Sequence, residues 1–247
     1  MRPTPSSLNP PDPPAYELTV VIPVFNEEKN IGELLRDWQK VFRTIPVRCR
    51  FLIIDDGSTD NSLSILQSMT GQIPDIEIHT QPNAGHGPAI LAGYRLALDS
   101  EWIFQIDSDH QHDPAVFTTL WENRNEYDFL LGERIETNAS LPRKWISLLS
   151  TLVVRLLYKD KKVKDVNSPY RLMRRALLKP AMSRIPGNSF APNVLLTAWF
   201  VFFKVRIFPV PLSHRSEAVQ RQSKMNFYFL RGCFQSIFQT ILFRFRL

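Results

Sequence analysis

The chain has 247 residues, 44% of them apolar and 22% charged, with a mean hydropathy of −0.17. That composition excludes a disordered chain and a polytopic membrane protein, and the length suits one large domain or a domain with an appendage. The net charge of +6 hides a division: Met1 to Thr137 carries 10 Lys+Arg and 21 Asp+Glu, a net of −11, whereas Asn138 to Leu247 carries 20 against 3, a net of +17. The first half is built to hold something positive and the second something negative, which does not suit a simple nucleic-acid binder.

Residues 1–16 hold six prolines and no apolar run, so they read as a disordered leader rather than a signal peptide. Leu18-Thr-Val-Val-Ile-Pro-Val24 has the continuous β-branched character of a buried parallel strand. Asn26 is placed to cap a helix running to Phe42, with Glu27, Glu28 and Glu33 near its positive end. Phe51 to Asp55, Ile76 to Thr80 and Trp102 to Asp107 read as further strands, with helices over 61–69 and from the Asn83 loop to Leu98. Strands alternating with helices imply an open parallel sheet, whose ligands bind beyond the carboxyl ends of the strands.

The second half loses this rhythm. Arg143 to Tyr158 reads as an apolar helix carrying Trp145, Ile146, Leu149, Leu152, Val153 and Leu156, followed by Lys159, Lys161, Lys162 and Lys164. Helix is expected over 193–203 and strand over 205–210. From Met225 to Leu247, Phe227, Leu230, Phe234, Ile237, Phe238, Ile241 and Phe245 recur at helical spacing beside a stripe of Arg231, Gln235 and Gln239. Both helices fit an interfacial role on a membrane, and equally a core or subunit contact. The longest uncharged run, 185–203, is broken by Pro186, Gly187 and Pro192 and does not read as a membrane span. Cys49 and Cys233 have no zinc spacing and read as free thiols.

Three segments carry chemistry. Asp55-Asp-Gly-Ser-Thr-Asp60 ends a strand with carboxylates that can accept from a base or a ribose, or simply form an Asx turn. Asp107 and Asp109, at i and i+2, can reach one hard cation such as Mg²⁺ or Mn²⁺, or form a solvated acidic turn. His110 and His112 beside them read as exposed loop residues. Asn83-Ala-Gly-His-Gly-Pro88 opens a helix where an anion is favoured, without a complete phosphate-loop pattern. On the basic side, Arg134, Arg143, Arg171, Arg174, Arg175, His214, Arg215 and Lys224 are candidates for phosphate contacts.

Taken in order, Val20 to Glu28, Asp55 to Asp60, Asn83 to Gly87 and Asp107 to Pro114 resemble the family 2 glycosyltransferases, nucleotide-sugar enzymes of GT-A fold. Gly132-Glu-Arg134, Tyr170-Arg-Leu172, His214-Arg215 and Ser223-Lys224 extend the likeness to the dolichol-phosphate mannosyltransferase and polyprenyl-phosphate glycosyltransferase branch, over most of 18–224. Ser168-Pro169 stands where that branch has Gly, and Asn193 where many members have an acid.

The resemblance implies an α/β GT-A domain over 17–224, with a mostly parallel sheet flanked by helices and a membrane-facing amphipathic helix over 225–247. By it, Pro23, Phe25, Glu27, Asp55, Asp107 and Ser108 hold the nucleotide-sugar, with Arg215 and Lys224 on its diphosphate. Asp107, Asp109 and Gln111 hold Mg²⁺ or Mn²⁺. Arg134, Arg143 and Ser147 meet the lipid phosphate, and Asp107, Asp109, Arg134 and Arg215 carry catalysis. The implied partners are a UDP- or GDP-sugar, a polyprenyl phosphate and the membrane surface at its cytoplasmic face, with no nucleic acid and with room for a homo-oligomer. Transfer to a sugar or protein hydroxyl, and a non-enzymatic basic module binding RNA or lipid, are the alternative readings.

Overall fold

A computed structural model describes residues 14–135, 141–159, 163–212 and 227–247, with the backbone alone at 141–143 and 227–229. In chain order the strands are β1 (Tyr16–Val24), β2 (Cys49–Asp55), β3 (Ile76–Thr80), β4 (Ser100–Gln105), β5 (Phe129–Arg134), β6 (Arg171–Arg174) and β7 (Ile207–Leu212). The helices are α1 (Ile31–Arg43), α2 (Ser62–Met69), α3 (His86–Leu96), α4 (Val116–Asn123), α5 (Leu141–Tyr158), α6 (Arg175–Met182), α7 (Pro192–Phe202) and α8 (Phe227–Phe245).

One sheet runs β3-β2-β1-β4-β6-β5-β7. β6 is antiparallel to both β4 and β5, and every other pairing is parallel. The expected mostly parallel sheet is therefore present. The carboxyl ends of β1, β2, β4 and β5 all lie at one edge, where Asp55, Asp107 and Arg134 stand.

Alternation along β1 explains the two cores. Val20 and Ile22 face a layer with Leu34, Trp38, Phe104, Phe117 and Tyr170, whereas Val21 faces one with Tyr94, Leu195 and Phe200. Trp38 is central to the first, its ring 5.5 Å from Phe42 and 5.3 Å from Phe104. α3 and α7 cover the second face, and α5 and α8 pack on α7 and on each other as an outer layer.

The outer layer is turned inside out relative to a soluble helix. α8 buries Gly232, Cys233, Ser236 and Thr240 and leaves Phe234 71% and Phe238 61% exposed. α5 likewise presents Trp145, Leu148, Leu149, Leu152 and Leu156 to the outside. Small and hydroxyl side chains inside let the helix backbones approach: the Tyr158 hydroxyl donates to the Thr240 carbonyl at 2.9 Å. No described helix is long and apolar enough to cross a membrane.

Two local expectations fail for one reason, the strength of contacts distant in sequence. Asn26 does not cap α1. It adopts φ 55°, and its side-chain oxygen accepts from the Thr59 and Asp60 N–H groups, tying the loop after β1 to the loop after β2. α1 begins at Ile31 instead, after Asn30. His110 and His112 are buried rather than exposed: His110 takes φ 57° and lies 3.2 Å from Asp37 of α1.

Candidate active site

Four loops converge beyond the strand ends. The loop after β1 carries Phe25, 44% exposed, and Glu27, whose carboxylate accepts from the Asn30 side chain. Pro23 is buried in β1 opposite Ile54. After β2, Asp55 is buried and accepts from the Ser58 N–H at 3.3 Å.

Asp56 is spent on structure. Its oxygens accept from the Ala84 and Gly85 N–H groups, each at 2.9 Å, and from the Gln81 side chain at 2.7 Å. The anion held by the turn before α3 is thus the chain's own carboxylate. Gly57 and Gly85 take φ 72° and 95°, which the tight loops require. At Gly87 an added Cβ would lie 2.0 Å from the Ser189 carbonyl oxygen, so the loop over 186–190 presses on the start of α3.

Asp107 and Asp109 follow β4. Asp107 accepts from the Gln105 side chain at 3.1 Å, and His86 of α3 lies 3.5 Å from the same oxygen. Gln105 is fully buried and also accepts from the Asn193 amide at 2.9 Å, which in turn accepts from the Tyr94 hydroxyl. A hidden polar chain therefore fixes Asp107 from below, and Asn193 serves it as a neutral donor.

Asp109 has its pKa raised to about 7, first by burial and then by the charge of Asp107, with a smaller push from Glu27; the Gln111 N–H and the charge of Arg134 act the other way. Crowded carboxylates offer oxygen donors, which suit a hard divalent cation. Asp107 and Asp109 therefore fit the expected ion, and Gln111 follows them on the same loop. A second cluster joins Glu33 and Asp37 of α1 to His110 of this loop, with their ligand atoms within 4.8 Å of one another. Ser108 is buried between the two carboxylates.

Arg134 ends β5. Its Nε and Nη2 donate to the two oxygens of Asp165 at 2.6 and 2.9 Å. Burial works against its charge, but the hydrogen bonds and charge of Asp165, with the charges of Asp107 and Asp109, outweigh that and raise its pKa. Arg134 thus stands within electrostatic reach of the carboxylate pair.

Sequence reasoning passed over Gln105 and His86, and it did not foresee that Asp165, one of only three acids in the basic half, pairs with Arg134.

The remaining cations separate. Arg171 is fully buried and spends its donors on the carbonyls of Val166, Ser168 and Asn193, anchoring the segment that carries Asp165. Burial lowers its pKa. It is not open to a phosphate, which corrects the expectation from sequence. Arg174 is likewise committed, to Asp128 at 2.7 Å and Glu101 at 3.4 Å. Ser147 is exposed on α5. Arg215, Lys224 and His214 lie outside the described residues, as does the side chain of Arg143.

Comparison with known proteins agrees with this architecture. Undecaprenyl-phosphate 4-deoxy-4-formamido-L-arabinose transferase of Klebsiella pneumoniae (strain 342) is 28% identical over 206 residues, covering 82% of this chain and 61% of the relative. The protein of that name from Pseudomonas fluorescens is 28% identical over 182 residues, covering 72% and 53%. The chain thus spans between half and two thirds of these relatives.

Among solved structures, glucosyl-3-phosphoglycerate synthase from Mycobacterium tuberculosis, in complex with Mn²⁺ and UDP-glucose, aligns with a TM-score of 0.64. The identity is 17%, over 93% of this chain and 79% of that one. TarS 1–349 of S. aureus with UDP aligns at 0.60 and 18% identity, over 92% and 65%. These likenesses show the fold. The profile of "Glycosyl transferase family 2" matches residues 19–180, from β1 through the carboxylate loop and Arg134 to α6, and the chain belongs to that family.

Proposed function

We propose that the protein transfers a sugar from a nucleoside-diphosphate sugar to a polyprenyl phosphate at a membrane surface, with inversion at the anomeric carbon. The observation that carries this reading is Arg134, a cation locked to Asp165 beside the Asp107–Asp109 pair.

A hydroxyl acceptor needs a general base within reach of its proton. Asp165 is the one described acid of the second half, and both its oxygens are occupied by Arg134. A lipid monophosphate needs no base, because its second pKa is about 6 and it arrives charged. It needs a fixed cation, and Arg134 supplies one. Arg143 and Ser147 of α5 are the further acceptor contacts in this reading.

On the donor side, exposed Phe25 offers a ring face for the base, while Glu27 and Asp55 offer oxygens to the nucleoside. Asp107, Asp109 and Gln111 would hold Mg²⁺ or Mn²⁺, which supplies charge neutralisation to the departing diphosphate. Arg215 and Lys224 are assigned to that diphosphate by resemblance, as Ser108 is to the donor.

The outward apolar faces of α5 and α8 support work at a bilayer surface, since an acceptor with a long hydrocarbon tail is found there. A peripheral position on the cytoplasmic face belongs to the same reading. The two relatives described above, named for transfer to undecaprenyl phosphate, support the acceptor class.

Incubation with labelled UDP- and GDP-sugars, polyprenyl phosphate and Mn²⁺ or Mg²⁺ is the test. One donor is expected to give an organic-extractable, acid-labile product. Absence of such a product with every donor and both metals would overturn the proposal.

A further inference from the structure

A second charged cavity lies at the opposite end of the sheet, where β5 and β7 begin. It is a half-open cleft of about 670 Å³, lined by Lys159, Lys204, Arg206 and Arg244, with Tyr127 and Phe202 among its apolar walls. The six-residue strand β5 separates it from Arg134, a span of about 17 Å. Among the described residues no Asp or Glu lines it, and none of the four cations enters a described ion pair. Of the two acids that flank Tyr127, Asp128 is committed to Arg174 and Glu126 is exposed and not among the lining residues.

An ordinary structural account exists and falls short. Lys159, Lys204 and Arg244 stand at the carboxyl ends of α5, α7 and α8, where cations offset the helix dipoles. Three helix ends contribute roughly −1.5 charges, against four cations, leaving about +2.5.

The backbone supplies a second argument. Lys159 and Lys204 adopt φ 57° and 55°, the left-handed conformation that glycine ordinarily fills after a helix. Lysine at both positions accepts strain and retains a charge. The arginines are oriented by stacking: the Arg244 guanidinium lies 4.8 Å from the Phe202 ring and Arg206 5.6 Å from Tyr127. Among the described residues, Arg244 donates from Nε alone, to the Leu157 carbonyl.

Volume, charge and walls together match a small-molecule site. We propose that this cavity binds a phosphate group carried on an apolar or aromatic body, separately from the site at the strand ends. Its lining residues Leu157 and Arg244 are the sequence neighbours of Leu156 and Phe245, which are 69% and 80% exposed. The phosphate can therefore come from a phospholipid headgroup or from a soluble ester.

The test uses the full chain, its K204A/R206Q variant and Lys204→Gly. Binding of inorganic phosphate is titrated against chloride at matched ionic strength, and flotation is measured with phosphatidylcholine vesicles with and without phosphatidic acid. Phosphate affinity is expected to fall about tenfold or more in the double variant, as for loss of charge-assisted contacts. An accompanying loss of flotation specific to phosphatidic acid identifies a headgroup; unchanged flotation identifies a soluble ester. Lys204→Gly is expected to melt at a higher temperature, because strain is relieved, while binding phosphate more weakly. Phosphate affinity unchanged in both variants would overturn the proposal.

Discussion

Arg134 and Asp165 are 31 residues apart in sequence and meet in a two-pronged ion pair at the edge of the carboxylate site. The segment bearing Asp165 is itself held by buried Arg171 through the Ser168 and Val166 carbonyls. A cation within electrostatic reach of Asp107 and Asp109 is thus positioned by residues that touch neither.

Removing Asp165 releases Arg134. Asp165→Ala is expected to cost about 2 kcal/mol of stability, less than a fully buried pair because a quarter of the Arg134 side chain reaches solvent. Asp165→Asn keeps an acceptor oxygen and should cost less. In both, KM for polyprenyl phosphate should rise more than KM for the donor. Steady-state kinetics with each substrate varied checks this, and an equal rise in both would assign Asp165 a purely structural role.

Asp109 sets a pH dependence. Its native pKa is raised to about 7, whereas the unfolded chain ionises near 4. Between those values the native state holds a proton that the unfolded state has lost, so stability falls as pH rises across that window. Asp109→Asn should therefore melt higher than the parent protein at pH 8 without metal, and the difference should vanish at about pH 4. Mn²⁺ must displace that proton, so its affinity in the parent should fall up to about tenfold per unit below pH 7. Calorimetry in buffers of different ionisation enthalpy measures the proton released.

The loop over 186–190 is locked against the start of α3. Gly87→Ala would push a methyl group into the Ser189 and Phe190 carbonyls, at 2.0 and 2.7 Å. Backbone cannot yield as a side chain does, and a loss of about 2 kcal/mol is expected. His86 should move with it and activity fall. Denaturant unfolding gives the first quantity and transfer assays the second.

The outer face should separate membrane binding from folding. Phe234→Ser with Phe238→Ser removes two rings that are mostly in water, so stability should change by no more than about 0.5 kcal/mol. Vesicle flotation should drop and solubility rise. Unchanged flotation would assign this face to another partner.

The strand-end chemistry was legible because it is local. Asp55 and Asp107 close continuous β-branched or aromatic runs, and a parallel sheet carries such ends to one edge. What was missed depends on contacts distant in sequence. Asn26 looks like a helix cap until the Asp55–Asp60 turn arrives to take its oxygen. β6 is four residues with an arginine at each end, too short and polar to announce a central antiparallel strand.

The apolar period of α8 was readable, but not which way it faces. Gly232, Ser236 and Thr240 give the closer approach to the domain, and the aromatics are left outside. The same limit applies to Arg171 and Arg134, alike in sequence and opposite in use: carbonyls surround one, and a carboxylate aims the other.

The most direct test of the proposed chemistry compares two acceptors under one donor and one metal: a polyprenyl phosphate and the corresponding polyprenol. Both offer the same tail to the membrane face, and only the first offers an anion to Arg134. The account predicts transfer to the phosphate alone, lost in Asp107→Ala. Transfer to the polyprenol at a comparable rate would contradict it.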